Sequence, residues 1–191
     1  MLFLIKLSPE ITIKSRVVRR KFTRQLRKNI YRVLKEFGDQ IQVWSKWDAV
    51  EVDVCLLEEA KFRQIHDRLR NTPGIAQICV VEKHQLSSME VMLELSKKLH
   101  SLSLGGKTFA VRCKRTGDHS FSSVDVERFI GHGILESCPS ARVNLKNPDV
   151  TVSLEIRDDY FYIIKDKSKG LGGFPLGCQD SVLSLISGGF D

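Results

Sequence analysis

Between Ser15 and Gly38 the chain sets Val18, Phe22, Leu26, Ile30, Val33 and Phe37 at spacings of four and three, the repeat that aligns apolar side chains along one face of an α-helix. Such a helix has to dock that face on another element. Ser15 stands where it can cap the first turn, and Gly38 where a left-handed terminator belongs. The opposite face constrains the chain as strongly. Lys14, Arg16, Arg19, Arg20, Lys21, Arg24, Arg27, Lys28, Arg32 and Lys35 follow one another with no Asp or Glu between them. A solvated helix interleaves signs at i and i+4, whereas ten like charges repel one another unless an anion supplies the counterion.

The charge is local. Of the net +7, residues 1–75 account for the whole excess, with 16 basic and 9 acidic side chains against 14 of each in residues 76–191. A solubilising surface is the plain alternative, but the absence of acids favours a polyanionic partner, nucleic acid first of all. No run nears the roughly 18 apolar residues of a membrane span, and Lys6 breaks the opening Met1-Leu-Phe-Leu-Ile5 too early for a secretory signal. A cytoplasmic protein without membrane association is expected. The five cysteines, Cys55, Cys79, Cys113, Cys138 and Cys178, are odd in number and nowhere closer than 24 residues. They are expected to be reduced, mostly buried small hydrophobes rather than a disulfide framework or metal site.

Residues 2–7 read as a strand ahead of the basic helix, and 41–46 and 50–55 as two more around a turn at Trp47-Asp48. A helix follows over about 58–70, stopped by Asn71-Thr-Pro-Gly74, and then a buried strand over 75–81. The order β-α-β-β-α-β is the ferredoxin-like split unit, which by itself decides no function. Beyond it, a helix over 88–102 ends at Gly105-Gly106 and a strand over 108–115 follows. Ser122 and Asp125 have capping-box spacing for a helix to Ser137, and 150–156 with 161–165 form a hairpin. The fold class is α+β. The glycine-rich stretch Lys169 to Gly177 reads as a linker.

In this second half Arg112, Lys114 and Arg115 set cations along and just after a strand, Gly117 permits a tight turn, and His119 and Phe121 bring flat rings beyond it. That combination suits single-stranded RNA, whose phosphates pair with Arg or Lys and whose bases lie on rings. A strand with one polar face and a core Phe is the competing reading. Arg142, Lys146 and Asn147, in a loop before the hairpin, are further candidates for the same surface. Gly131 and Gly133 inside a helix cost about 1 kcal/mol each against Ala, which points to close approach of something.

Four separated motifs carry a family resemblance. Pro9-Glu-Ile-Thr-Ile-Lys-Ser15, the segment Phe109 to Glu127, Asn147-Pro-Asp-Val-Thr-Val152 and Gly172-Gly-Phe-Pro-Leu-Gly177 resemble the amino-terminal half of bacterial tRNA 4-thiouridine synthetases, tRNA uracil 4-sulfurtransferases also used in thiamine thiazole synthesis. The resemblance implies a ferredoxin-like domain over 1–83, a THUMP RNA-binding domain over 84–168, a linker over 169–181 and, over 182–191, the truncated start of an adenylating PP-loop domain. Ser187, Gly188, Gly189 and Asp191 match the beginning of its phosphate-binding turn, led in by a strand over 182–186. A strand entering such a turn surrounds phosphate with backbone N–H groups.

For the full-length family the resemblance implies ATP with Mg as cofactor, tRNA as substrate and a cysteine desulfurase as persulfide sulfur donor. None of the five cysteines matches the family's sulfur-carrying pair. The 191 residues alone are therefore expected to hold no cofactor, metal or catalytic residue. Their expected role is to bind tRNA by its shape and 3′ end, through Lys14, Arg16, Arg20, Arg24 and Arg27 and through the second-half candidates. Homodimerisation is plausible. Two alternatives stay open. One is a scaffold that docks the sulfur donor. The other is a phosphate-processing enzyme of acylphosphatase type, which would need an anion cradle in residues 8–14, where Pro9 and Glu10 stand and no glycine does.

Overall fold

The computed structural model describes residues 1–46, 48–55, 58–100 and 103–184. Two compact units emerge: Leu4–Ile78 with the described residues from Ser168 on, and Met1–Phe3 with Cys79–Lys167.

The first unit builds β1 (Leu2–Leu7), a short helix α1 (Pro9–Thr12), α2 (Arg16–Val33), β2 (Ile41–Ser45), β3 (Ala49–Val54), α3 (Glu59–Arg70) and the opening of β4 (Ile75–Gln85). Its strands lie in the order β2-β3-β1-β4, the split unit expected, with α1 added in a stretch read as loop. Strands β2 and β3 pair antiparallel from Ile41↔Val54 to Ser45↔Val50. Leu4, Ile5, Val50, Val52, Ile65, Leu69, Ile75 and Ile78 are fully buried, each such side chain contributing about 1.5–3 kcal/mol. The loop after β1 is no anion cradle, because the Ser8 hydroxyl donates to the Glu10 carboxylate and holds its pKa below the usual range.

Helix α2 stops at Val33, not Phe37. Leu34 turns inward, 1% exposed, and leads into a 3-10 turn over Lys35–Gln40 in which Gly38 takes φ 60° and ψ −145°, outside the left-handed helical well. The buried stripe is Phe22, Leu26, Ile30 and Leu34, with Val18, Val33 and Phe37 half-buried beside it. Ser15 holds the N-cap position without a side-chain bond.

The glycine-rich stretch packs on this unit. Gly170 N–H donates to Ala76 O (2.9 Å), Gly172 N–H to Ile75 O (2.7 Å) and Gly74 N–H to Gly172 O (2.7 Å). Phe174 meets Phe22 edge-on at 5.7 Å, and Asn29 Nδ2 donates to Leu176 O at 2.9 Å. Residues 182–184 form no strand, with Val182 and Leu183 92% and 89% exposed: a strand needs a hydrogen-bonded neighbour, and among the described residues they have none. The rest of that expected strand, and Ser187, Gly188, Gly189 and Asp191, lie outside the described residues, as do Trp47 and Leu102.

The second unit adds α4 (Met89–His100), β5 (Thr108–Thr116), α5 (Ser123–Ser137), β6 (Arg142–Val143), β7 (Val150–Arg157) and β8 (Tyr160–Lys169). Its strands run β4-β8-β7-β5-β6. Strand β5 is parallel to β6 and β7, and β7 and β8 form the expected hairpin. Both helices cover one sheet face, since Met92, Val126, Ile130 and Ile134 share a core with Phe109, Val111, Leu154, Ile156, Phe161 and Ile163. The capping box forms as read: Ser122 Oγ accepts from Asp125 N–H and the Asp125 carboxylate accepts from Ser122 N–H.

Strands β4 and β8 outrun their expected ends at Val81 and Lys165. Polar residues extend them by pairing: Glu82 bonds Lys165 at 2.5 Å, and the His84 ring stacks on Phe161 at 5.3 Å. The cysteines are all free thiols, but only Cys79 and Cys113 are buried; Cys138 and Cys178 are half-buried and Cys55 is exposed, because Cys55 falls just past β3. Among the described residues no helix is long and apolar enough to cross a membrane.

Candidate nucleic-acid interface

Helix α2 presents its cations because its other side is committed to the core. Arg16, Arg20, Arg24 and Arg27 are exposed, and Arg19, Arg20, Arg24 and Arg27 line a groove of about 640 Å³ with Thr23 and, across it, Ser45 and Lys46 at the end of the hairpin strand β2. Arg27 Nε donates to Val43 O at 2.9 Å, which fixes its guanidinium against that strand. Arg20, Arg24 and Arg27 have no carboxylate partner among the described residues. Their charge is left for something else to neutralise. Lys14 stands apart from the groove lining, its ammonium 5.5 Å from the centre of the Phe174 ring. Sequence reasoning missed Lys46 and Arg19 as groove walls. Lys46 carries no local signal, since only the β2–α2 packing brings it opposite the helix.

In the second unit the candidates fall into two groups. Arg112 leaves the free side of β5 beyond the two-residue β6 and donates to Leu145 O at 2.5 Å. There it joins the loop of Lys146 and Asn147, whose backbone amides both donate to Asn144 Oδ1 at 3.1 Å. Asn144 therefore organises this loop, a role that its residue type suits but that the sequence reading passed over. Arg142 is not in the loop. It sits in β6, exposed, because Thr108 and Phe109 give it and Val143 a strand to pair with.

The second group surrounds Gly117, which turns at φ 107°. Arg115 donates to Gly117 O (3.0 Å) and to His119 Nδ1 (3.2 Å), while His119 Nε2 reaches Asp158 O at 2.8 Å. With a carbonyl on one side and a guanidinium on the other, the ring is a donor at Nε2 and an acceptor at Nδ1. Phe121 lies 5.4 Å from His119 and is half-buried against the core. Phe121 thus packs against the core while part of its surface stays exposed beside the loop. Lys114 is exposed on β5.

Burial, with Glu127 nearby, pushes the Cys113 thiol up to about 12, so it stays protonated and inert. Glu127 is committed to structure, its carboxylate accepting the Cys113 N–H at 2.8 Å past the end of β6. An amide on an open strand edge is thereby satisfied.

Residues 2–79 match the ThiI ferredoxin-like domain family and residues 83–166 the THUMP domain family. The chain therefore belongs to the class of proteins that join a ThiI ferredoxin-like domain to a THUMP domain. Within that class its relatives are tRNA sulfurtransferases: it is 44% identical to the one from Pseudomonas aeruginosa and 48% to the one from Escherichia fergusonii, each over all 191 residues. The chain spans 40% and 39% of their lengths. Among solved structures, PH1313 from Pyrococcus horikoshii superimposes with TM-score 0.76 at 25% identity, covering 93% of this chain and 58% of that one. A 4-thiouridine synthetase solved as an RNA complex with bound ATP shares the fold with TM-score 0.68 at 23% identity, covering 93% of this chain and 44% of that one.

Proposed function

We propose that the chain is the tRNA-binding portion of a tRNA uracil 4-sulfurtransferase, holding the acceptor region and 3′ end of tRNA for ATP-dependent 4-thiouridine formation. The observation that carries this reading is the α2 groove, in which Arg20, Arg24 and Arg27 have no carboxylate partner among the described residues. Arg20, Arg24, Arg27 and Lys46 neutralise phosphates there and Arg16 does so at the first turn of α2, releasing condensed counterions without reading sequence. Lys14 adds charge at the start of the same helix. In the THUMP unit Arg112, Lys114, Arg115, Arg142 and Lys146 hold the backbone of unpaired nucleotides, Asn147 offers hydrogen bonds, and His119 with Phe121 takes a base.

Adenylation by Mg-bound ATP and sulfur transfer from a cysteine desulfurase fall to the rest of such a protein, which also serves thiamine thiazole synthesis. Ser187, Gly188, Gly189 and Asp191 would open its phosphate-binding turn. Two copies sharing one tRNA and a cytoplasmic location fit the same reading.

A gel-shift series with tRNA, tRNA lacking its 3′ tail, and a DNA duplex of equal charge tests it. Whole tRNA is expected to bind tightest and the duplex weakest. Equal binding of trimmed and whole tRNA overturns recognition of the end, and equal binding of all three overturns the RNA reading. Docking of a sulfur-donor protein is a second reading, favoured by an apolar cleft of about 450 Å³ along α5 and β5 that includes Val124, Leu135, Val143 and Leu145.

A further inference from the structure

The sheet face of the THUMP unit that carries no helix has a composition of its own. Cross-strand pairing aligns Arg112 with Ser153 and Ile164, Lys114 with Glu155 and Tyr162, and Thr116 with Arg157 and Tyr160. These rows face away from α4 and α5, because their alternates, Val111, Cys113, Leu154, Ile156, Phe161 and Ile163, form the helix-covered core. The one carboxylate in the rows, Glu155, is buried and bonded by Arg157. Lys114 beside it is exposed and has no carboxylate partner among the described residues. Lys83 reaches over the same face, its ammonium 4.5 Å from the centre of the Tyr160 ring and 5.7 Å from that of Tyr162. The Lys167 ammonium arrives there too, 2.8 Å from Ser153 Oγ. Ser153, Glu155, Tyr162 and Ile164 in the middle of these rows are buried, whereas Tyr160 is 42% exposed and Arg112, Lys114 and Thr116 are exposed along β5.

We infer that the exposed residues of this face form a second RNA-contact surface, on which Tyr160, backed by Lys83, stacks an unpaired base while Lys114 and Lys167 meet the flanking phosphates. The inference rests on the reading that the chain binds tRNA, and to Lys114 it adds Tyr160, Lys83 and Lys167, which neither family resemblance nor local sequence pattern singled out. An exposed aromatic ring with a cation already over it, on a sheet face that also carries Lys114 and Lys167, suits a base with its phosphates. An acidic protein would be drawn by the lysines but has no use for the ring. The face is also continuous with the Gly117 loop, since His119 is bonded to Asp158, two residues before Tyr160 in the β7–β8 turn.

The test measures tRNA affinity of the whole chain carrying Tyr160→Ala, Tyr160→Phe, or Lys114→Gln with Lys167→Gln. Folding is checked by thermal melts, and photo-crosslinked peptides are mapped by mass spectrometry. Tyr160→Ala should weaken binding roughly 5- to 150-fold, the range for loss of one stacked base, while Tyr160→Phe binds as the unaltered chain does. The lysine pair should lower the slope of log K against log salt by about 1.4 to 1.8, and crosslinks should include Tyr160. Unaltered affinity in folded Tyr160→Ala, with crosslinks confined to other segments, overturns the inference even though tRNA binding itself persists. Competition by polyglutamate for Lys114 and Lys167, with RNA affinity unaffected by any variant, overturns it in favour of an acidic protein. If the unaltered chain binds no tRNA, the broader reading fails first.

Discussion

Gly131 and Gly133 sit two positions apart in α5, carry the same propensity penalty, and have opposite reasons for being there. A Cβ on Gly133 would lie 2.4 Å from Leu93 Cδ2 and 3.1 Å from its Cγ, so α4 rests directly on the α5 backbone at that point. A Cβ on Gly131 would meet only Val111, at an ordinary 3.8 Å. Gly131→Ala should therefore stabilise the chain by about 1 kcal/mol through helix propensity. Gly133→Ala should destabilise it by about 1–3 kcal/mol, because Leu93 has to leave its seat. Urea unfolding of the two variants checks this, and a gain in both would mean that Leu93 moves aside freely. The sequence marked both glycines as unusual, but nothing within four residues of either distinguishes them. Only the neighbouring helix does.

At the scale of elements, ends and caps decide. The α5 capping box holds Asp125 below the usual carboxylate range, through the Ser122 hydroxyl first and its N–H second. A carboxylate whose pKa is depressed on folding adds stability above its unfolded pKa and loses it as pH falls through the folded value. The stability difference between the unaltered chain and Asp125→Asn should accordingly be constant near neutrality and shrink once pH drops below about 4, read as melting temperature against pH. This element was legible because a capping box is confined to four consecutive residues. The glycine-rich stretch was not, since its composition says linker while its contacts are made with residues about 100 to 160 positions away. Asn29, 3% exposed, bonds Leu176 O. Asn29→Ala should cost about 1–3 kcal/mol and raise hydrogen exchange over 174–178. Unchanged exchange would place the hold on Phe174 and Pro175 alone.

Across the whole molecule the positive excess is confined to the ferredoxin-like part, and its effect on binding should be separable from that of the THUMP part. Replacing Arg16, Arg20, Arg24 and Arg27 together by Gln should weaken tRNA binding and reduce the slope of log K against log salt by roughly 3, at 0.7–0.9 per lost phosphate contact. It should affect whole and 3′-trimmed tRNA alike. Lys114→Ala with Arg115→Ala should instead abolish the difference between them. An unchanged slope in a folded quadruple variant would leave the basic face a solubility device.

What the sequence determined by itself is what neighbours within a few residues determine: the order of elements, the apolar stripe of α2, the α5 cap and the acid-free run of cations. Each follows from helix or strand periodicity and from charges whose spacing is set along the chain. The tertiary structure alone decided which of those cations face a groove, that Lys46 stands opposite α2, that Leu34 rather than Phe37 completes the buried stripe, and that Lys83 lies over Tyr160. Those facts depend on strand register and on packing between residues far apart in sequence, which no local pattern encodes.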